Sequence, residues 1–405
     1  MEKKLKIALF GMYGLYNYGC EAIARGTYEL IKQAWPNSDV ILYTRFPKED
    51  KQIVNDLDIT IKRAPEKKGA ILRRIINRIL RMINIEQKLI IWDAEAVVNE
   101  CDLVFSVGGD IYTIPKYILK NKKETKHSGI VEFGNTVLRS KPYVIWGASI
   151  GPFGEKPEVR DYYFRHLKQV DQIFCREETS FNYLNKNNVN GNVQLCSDPA
   201  FYIKDTSKQK YKKSSNIRIA LNLSPLSVFE QVGESNSFKE QVIETIQDLL
   251  SISNTEVVLV PHVLSPLSNK DNDLDYLKDI YDSIPNNIVK SVSLLEGAEG
   301  FLGTKEFLKT CDIVIAARMH CAVNAVCEGI PTIFLAYSQK AIGMANYIYN
   351  DTKWVIHLMD IKKELKNKTV EMLTSKDEIS KDIKSRITKI RSDESRIIEL
   401  FRNIK

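Results

Sequence analysis

An arginine, a histidine and a lysine stand within one stretch, "DIVIAARMHCAVNAVCEGIPTIFLAYSQK", which runs from Asp312 to Lys340. The apolar run to Ala316 reads as a buried strand, and Met319, Ala322, Val323 and Val326 recur at helical spacing directly after Arg318. Arg318 and His320 are therefore expected at a strand's carboxyl end, in the first turn of the helix that follows. Backbone N–H groups of such a turn have no internal partner and, with the helix dipole, favour a phosphate or carboxylate. Arg318 can add a forked contact to the same oxyanion, and His320 a hydrogen bond or a proton near neutral pH. Lys340 follows the next strand pattern, "TIFLAY", and is expected at the same sheet edge. Taken singly, these residues read as a surface ion pair, a satisfied helix-end histidine and a solvated lysine. Their joint placement at adjacent strand ends favours an anion site, because ligands of open α/β sheets bind there. Arg176 in "FCREETS" repeats the arrangement after the strand "DQIFC"; its bland reading is a pairing with Glu177 or Glu178.

The elements that must position these residues alternate between strand-length apolar runs and helical periodicity along most of the chain, the pattern of a parallel sheet covered by helices. Strands are expected at "LKIALF", "DVILYT", "DLVFSVGG", "KPYVIWGASIG" and "DQIFCRE", then at "IRIALNLS", "EVVLVPH", "DIVIAA" and "TIFLAY". The polar stretch "IKDTSKQKYKKSSN" separates the two sets and marks a boundary. The expected architecture is α/β: one Rossmann-like domain over residues 1–205, a second over 216–350, and a helical tail over 351–405 that packs back. A chain of 405 residues is long enough for two cores. Two such domains facing each other make the cleft the default site, with Arg176 from one side and Arg318 from the other.

Seven cysteines lie without a C-x-x-C pair, which argues against a structural zinc or a disulfide framework; most are expected as buried thiols. No metal-ligand cluster stands out. The start "MEKKLKIALF" enters a strand pattern directly, and no apolar run reaches membrane-spanning length, so a cytoplasmic protein is expected. Charge is concentrated in one place. Between Ile61 and Ile90 nine Lys or Arg face two Glu, an excess equal to the +7 of the whole chain. Residues 66–90 read as an amphipathic helix with Ile71, Leu72, Ile75, Ile76, Ile79, Leu80 and Ile83 on one side and Arg73, Arg74, Arg78 and Arg81 around the other. Such a helix can lie on an anionic membrane, each cation adding roughly 1 kcal/mol. Alternatively its isoleucines pack on the first domain while its arginines are solvated. Nucleic acid is not expected, because the segment lacks interleaved aromatics and any nucleic-acid-binding motif.

In order, "GMYGLYNYGCEAI", "VGGD", "WGASIGPF", "CREETS", "SDPAF" and "ARMHCAVNAVCEGIPTIFLAYSQK" give a chain that resembles the polysaccharide pyruvyl transferase family from about Gly11 to Ala345. The resemblance implies a glycosyltransferase B-like fold and transfer of pyruvate from phosphoenolpyruvate, as a ketal, onto hydroxyls of a sugar in capsular or other surface polysaccharide. It implies that Arg176, Arg318, His320 and Lys340 hold the donor, with His320, Arg318 and Arg176 catalytic, and that no redox cofactor is needed. On the acceptor side, assigned to the first domain, Asn17, Glu21 and Asp110 are the candidates for meeting sugar hydroxyls. Here the chain departs from many relatives, with Cys20 where they carry Asp and Asp110 where they carry a small residue. A lipid-linked oligosaccharide acceptor would place the protein at the inner face of the cytoplasmic membrane. His262 also ends a strand pattern, although a lone histidine reads first as structural; Asp198 reads as a brace. The competing functions are a nucleotide-sugar glycosyltransferase on the same architecture and a glycan-binding relative without turnover.

Overall fold

The computed structural model describes residues 4–83, 88–204, 211–232, 236–296, 300–337 and 339–404. Two compact units divide the chain. The first comprises residues 1–14, 23–202 and 393–405, the second 15–22 and 203–392.

In the first unit the strands are β1 (Lys6–Phe10), β2 (Asp39–Thr44), β3 (Ile59–Arg63), β4 (Leu103–Val107), β5 (Tyr143–Ala148), β6 (Gln172–Cys175) and β7 (Val193–Leu195). They form one parallel sheet in the order β3-β2-β1-β4-β5-β6-β7. The second unit has β8 (Ile217–Asn222), β9 (Thr255–Leu259), β10 (Val292–Leu294), β11 (Ile313–Ala316), β12 (Thr332–Ala336) and β13 (Val355–His357), in the order β10-β9-β8-β11-β12-β13. Both sheets are doubly wound. Chain order reverses between β1 and β4 in one and between β8 and β11 in the other, and the carboxyl ends at such reversals are where these sheets bind ligands.

The central strands form because their residues can be buried on both faces, as crossover helices require. Every residue of β4, β5, β11 and β12 is buried. Each strand then hands its last residue to a loop and a helix.

The C-terminal tail does not act as one piece. It breaks at Ser392 and Asp393 between the helices Lys376–Arg391 and Glu394–Arg402. Ile379, Ile383, Ile387 and Ile390 bury their stripe in the second unit, whereas Ile397 and Phe401 belong to the first. There the Phe401 ring sits 5.0 Å from Phe105, 4.9 Å from Trp146 and 5.5 Å from Phe174, all edge-on, and is stacked on Trp35 at 6.1 Å.

Candidate active site

In the second unit, β11 ends at Ala316 and the helix Met319–Cys327 begins at once, with Arg318 as its N-cap in an extended conformation. The turn is pinned from the neighbouring strand. The Arg318 N–H donates to Asn222 Oδ1 at 2.8 Å, and Asn222 Nδ2 donates to the Val260 carbonyl at 2.9 Å. A fully buried asparagine thus ties together the carboxyl ends of β8, β9 and β11.

The Arg318 side chain is held as tightly as its backbone. Its Nε and Nη2 donate to Asp273 Oδ1 at 3.1 and 2.8 Å, and Nη2 also reaches Asp271 Oδ1 at 2.6 Å. The second oxygen of Asp273 accepts the backbone N–H groups of His262 and Val263, at 3.0 and 3.1 Å. Burial alone would lower the Arg318 pKa; the two carboxylates outweigh it and raise it, so the guanidinium stays charged.

His320 lies in the first turn of the same helix and is half-buried. Its ring is packed against Gly19: a Cβ on that glycine would fall 2.5 Å from His320 Nδ1. Only a residue without a side chain allows this approach. Gly19 is delivered by a short bridge in which Tyr18 N–H donates to the His262 carbonyl at 3.1 Å and Leu264 N–H to the Tyr16 carbonyl at 3.0 Å. Asn17 Oδ1 accepts the Gly19 N–H at 2.9 Å and caps the helix Tyr18–Ala34. His262 is buried edge-on to Tyr18 and Phe301, with ring centroids 5.4 and 6.0 Å away. Burial first, then the proximity of His320 and Arg318, holds its pKa well below the ordinary value.

Arg176 in the first unit follows β6 and is equally committed. Nε donates to Ser149 Oγ at 3.1 Å, Nη1 to Asp198 Oδ2 at 2.9 Å and Nη2 to Asp110 Oδ1 at 3.2 Å. Gly109 makes room for it, since a Cβ there would sit 2.6 Å from Nη1.

A family model described as polysaccharide pyruvyl transferase matches residues 17–339. The chain belongs to the polysaccharide pyruvyl transferase family. Among solved structures it is similar in fold to the Neisseria meningitidis UDP-GlcNAc 2-epimerase bound to UDP-GlcNAc (TM-score 0.58, 13% identity, covering 98% of this chain and 99% of that one). It is also similar to Anabaena HepE in complex with UDP-glucose (0.57, 11%, 98% and 99%). A third is the UDP-GlcNAc 2-epimerase of Methanocaldococcus jannaschii (0.57, 12%, 92% and 93%). At these identities the likeness shows the fold, a glycosyltransferase B-like pair of α/β units.

In this pyruvyl transferase family member the second unit brings Arg318 and His320 together at one strand end. Lys340 lies in the first turn of the helix Gln339–Tyr349, and its side chain is outside the described residues. Both arginines are ion-paired, but not with the partners nearest in sequence. Each is matched by two carboxylates, and Arg176 pairs with Asp198 and Asp110 instead of with its sequence neighbours Glu177 and Glu178. Asn17 and Glu21 also need reassignment. They follow β1 in sequence, yet residues 15–22 pack in the second unit, because their backbone bridges to the segment after β9. Glu21 is 1% exposed, and its Oε2 accepts the Phe301 N–H at 2.6 Å, so it braces the helix Gly300–Leu308. Asp110, by contrast, has 60% of its side chain exposed. Asp271, Asp273 and Asn222 escaped the sequence reading; the acidic run "NKDNDLD" ahead of a helix was the available signal. Among the described residues no group of three or more His, Cys, Asp or Glu is arranged to hold a metal ion.

Proposed function

We propose that the protein transfers pyruvate from phosphoenolpyruvate onto two hydroxyls of a sugar, as a cyclic ketal, in the synthesis of a surface polysaccharide such as a capsule. The acceptor in this reading is a glycan intermediate, lipid-linked at the inner face of the cytoplasmic membrane. The observation that carries it is the pairing of Arg318 and His320 on the first turn of one helix at the carboxyl end of β11. Family membership supplies the reaction class.

The methylene carbon of the donor takes a proton, one sugar hydroxyl adds to the central carbon, the second hydroxyl displaces phosphate, and the ring closes. Charge builds on the departing phosphate, and stabilising it is the main electrostatic task. His320 donates the proton or a hydrogen bond to that group, backed by the N-terminal turn of its helix. Arg318 has a bond to offer without losing its buried partner. Asp273 is fully buried, but Asp271 has 35% of its side chain exposed, and an incoming oxyanion can replace it on Nη2. Arg176 has the same division, with Asp198 fully buried and Asp110 mostly exposed, and we assign it the same behaviour toward an anionic group. Lys340 is retained in this reading as a donor contact, and Asp110 as an acceptor of hydrogen bonds from sugar hydroxyls.

The test is phosphate release from phosphoenolpyruvate in the presence of candidate oligosaccharides, with the acceptor followed for the added mass of a pyruvyl ketal. His320→Ala is expected to lower turnover by about 100-fold or more, the usual worth of a positioned acid–base group. Gly19→Ala, which displaces the same ring, should lower turnover with little change in melting temperature. Turnover from nucleotide sugars but not from phosphoenolpyruvate would replace this reading with glycosyl transfer.

A further inference from the structure

The basic segment of the first unit is built the wrong way round for a helix that covers a core. Of residues 66–90, 84–87 lie outside the described residues; the helix runs Ala70–Met82 and is followed by Ile83. The side held against the protein is anchored by polar groups, beside the half-buried Ile76 and Leu80. Arg73 Nη1 donates to the Ile90 carbonyl at 3.2 Å, Arg74 pairs with Glu66, and Asn77 exchanges two hydrogen bonds with the Leu89 backbone, at 2.9 and 2.7 Å. The opposite side carries Ile71, Leu72, Ile75, Ile79, Met82 and Ile83, all between 50% and 76% exposed. Their spacing puts them on one stripe of the helix. Ile76 and Leu80, expected on that stripe, are half-buried instead. The alternative in which the isoleucines pack inward therefore fails for Ile71, Ile75, Ile79 and Ile83, while Arg73 and Arg74 are tied to neighbouring groups and Arg78 is exposed.

Six large apolar side chains on one helix face exceed what single exposed hydrophobics account for. Their arrangement needs a partner, and the charge around them selects it. Lys68, in the turn just before the helix, and Arg78, on the helix, are both exposed, and residues 61–90 carry a net charge equal to the +7 of the whole chain. A second copy of the chain would bring the same cationic surface against itself, since a two-fold interface pairs one patch with its own image. An anionic bilayer offers both requirements at once, acyl chains for the isoleucines and headgroup phosphates for the cations. Among the described residues no helix is long and apolar enough to cross a membrane, so the contact is with the surface.

We propose that the outward face of the helix Ala70–Met82 docks the protein on an anionic lipid surface, with Ile71, Leu72, Ile75, Ile79 and Met82 entering the headgroup boundary. This holds whatever the donor is, and its test does not depend on turnover. The full chain is sedimented with vesicles of equimolar phosphatidylglycerol and phosphatidylcholine, and with phosphatidylcholine alone. Binding is expected only to the anionic vesicles, and it should weaken in salt that shortens the Debye length to about 3 Å. The double variant Ile75→Glu/Ile79→Glu should lose at least tenfold in affinity, roughly what two removed apolar contacts are worth, with its melting temperature preserved because both side chains face outward. Lys68→Gln and Arg78→Gln should each weaken binding about fivefold. Absence of binding to anionic vesicles, or equal binding by the double variant, overturns the proposal. So does a wild-type dimer in light scattering that Ile75→Glu/Ile79→Glu converts to monomer, since a second copy would then cover the face. Should the double variant fail to fold, the lipid and salt dependence of the wild type and the two charge variants still decides it.

Discussion

Arg176 and Arg318 each keep one carboxylate that solvent cannot reach and one that it can, and the two have opposite expected effects when removed. Asp273 neutralises Arg318 where no water can help and also accepts two backbone N–H groups after β9. Asp273→Asn should therefore be clearly destabilising, up to the about 3–5 kcal/mol of breaking a buried ion pair, with Asp271 still on Nη2 to moderate the loss. Asp271 is partly exposed, and its contribution to stability should stay within about 1 kcal/mol. Neutralising it removes the competing charge on Nη2, which keeps its bond to Asp273, so Asp271→Asn should melt like the wild type while lowering KM for phosphoenolpyruvate several-fold. Thermal unfolding and steady-state phosphate release measure both effects; a raised KM in Asp271→Asn would sink the idea that this carboxylate stands in for the donor. For the same reason Arg318→Ala is a poor probe of catalysis, because it strands Asp273 and unsettles the fold together with the site. Arg318 and His320 could be found in the sequence because an apolar strand and a helical repeat flank them. Their acidic partners could not, since Asp271 and Asp273 lie 47 and 45 positions earlier and no local pattern connects them.

The elements show where sequence periodicity carries information and where it stops. Nine strands were readable as apolar runs. The four that were not, β3, β7, β10 and β13, are the four sheet edges. Edge strands have one open side and need no continuous apolar run: β3 is half-buried or exposed throughout, and the others have three residues each. The segment 15–22 shows a second limit, because its sequence neighbours belong to one unit and its packing to the other. What fixes it there includes a charged hydrogen bond, the Glu21 carboxylate on the N–H of Phe301, where the positive end of the helix Gly300–Leu308 begins. Gly300 adopts φ +68° and leaves the carboxylate that space, as a Cβ would fall 2.8 Å from Oε2. Glu21→Gln preserves the shape and removes the charge, so it should cost about 1.5–3 kcal/mol, the range for a hydrogen bond to a charged group. The urea midpoint is expected to fall with the slope unchanged. An unmoved midpoint would mean that the carboxylate does not hold this helix, and that Glu21 is available for another task.

For the whole molecule, part of the response to acid comes from a histidine outside the candidate site. His166 is buried among aromatic and polar groups of the first unit: Nε2 meets the Tyr112 hydroxyl at 3.1 Å, Nδ1 meets Asn135 Oδ1 at 2.7 Å, and the ring stacks on Tyr112. The Tyr112 hydroxyl in turn meets that of Tyr143 at 3.0 Å, so the imidazole closes a buried polar network. Burial pushes its pKa from the ordinary 6.5 down to about 4. In the unfolded chain the same ring takes a proton below pH 6.5. Between those two values the unfolded state binds a proton that the native state refuses, so native stability falls as pH drops through the window and is unaffected above it. A difference of this size amounts to about 3 kcal/mol at pH 4. His262, displaced in the same direction, adds to the loss. The contribution of His166 is isolated by comparison with His166→Gln, which keeps a polar side chain but cannot be protonated. The wild type should lose about 3 kcal/mol more than this variant between pH 7 and pH 4 in urea unfolding. Parallel pH profiles for the two proteins would show that the imidazole is protonated, or solvated, in the native state.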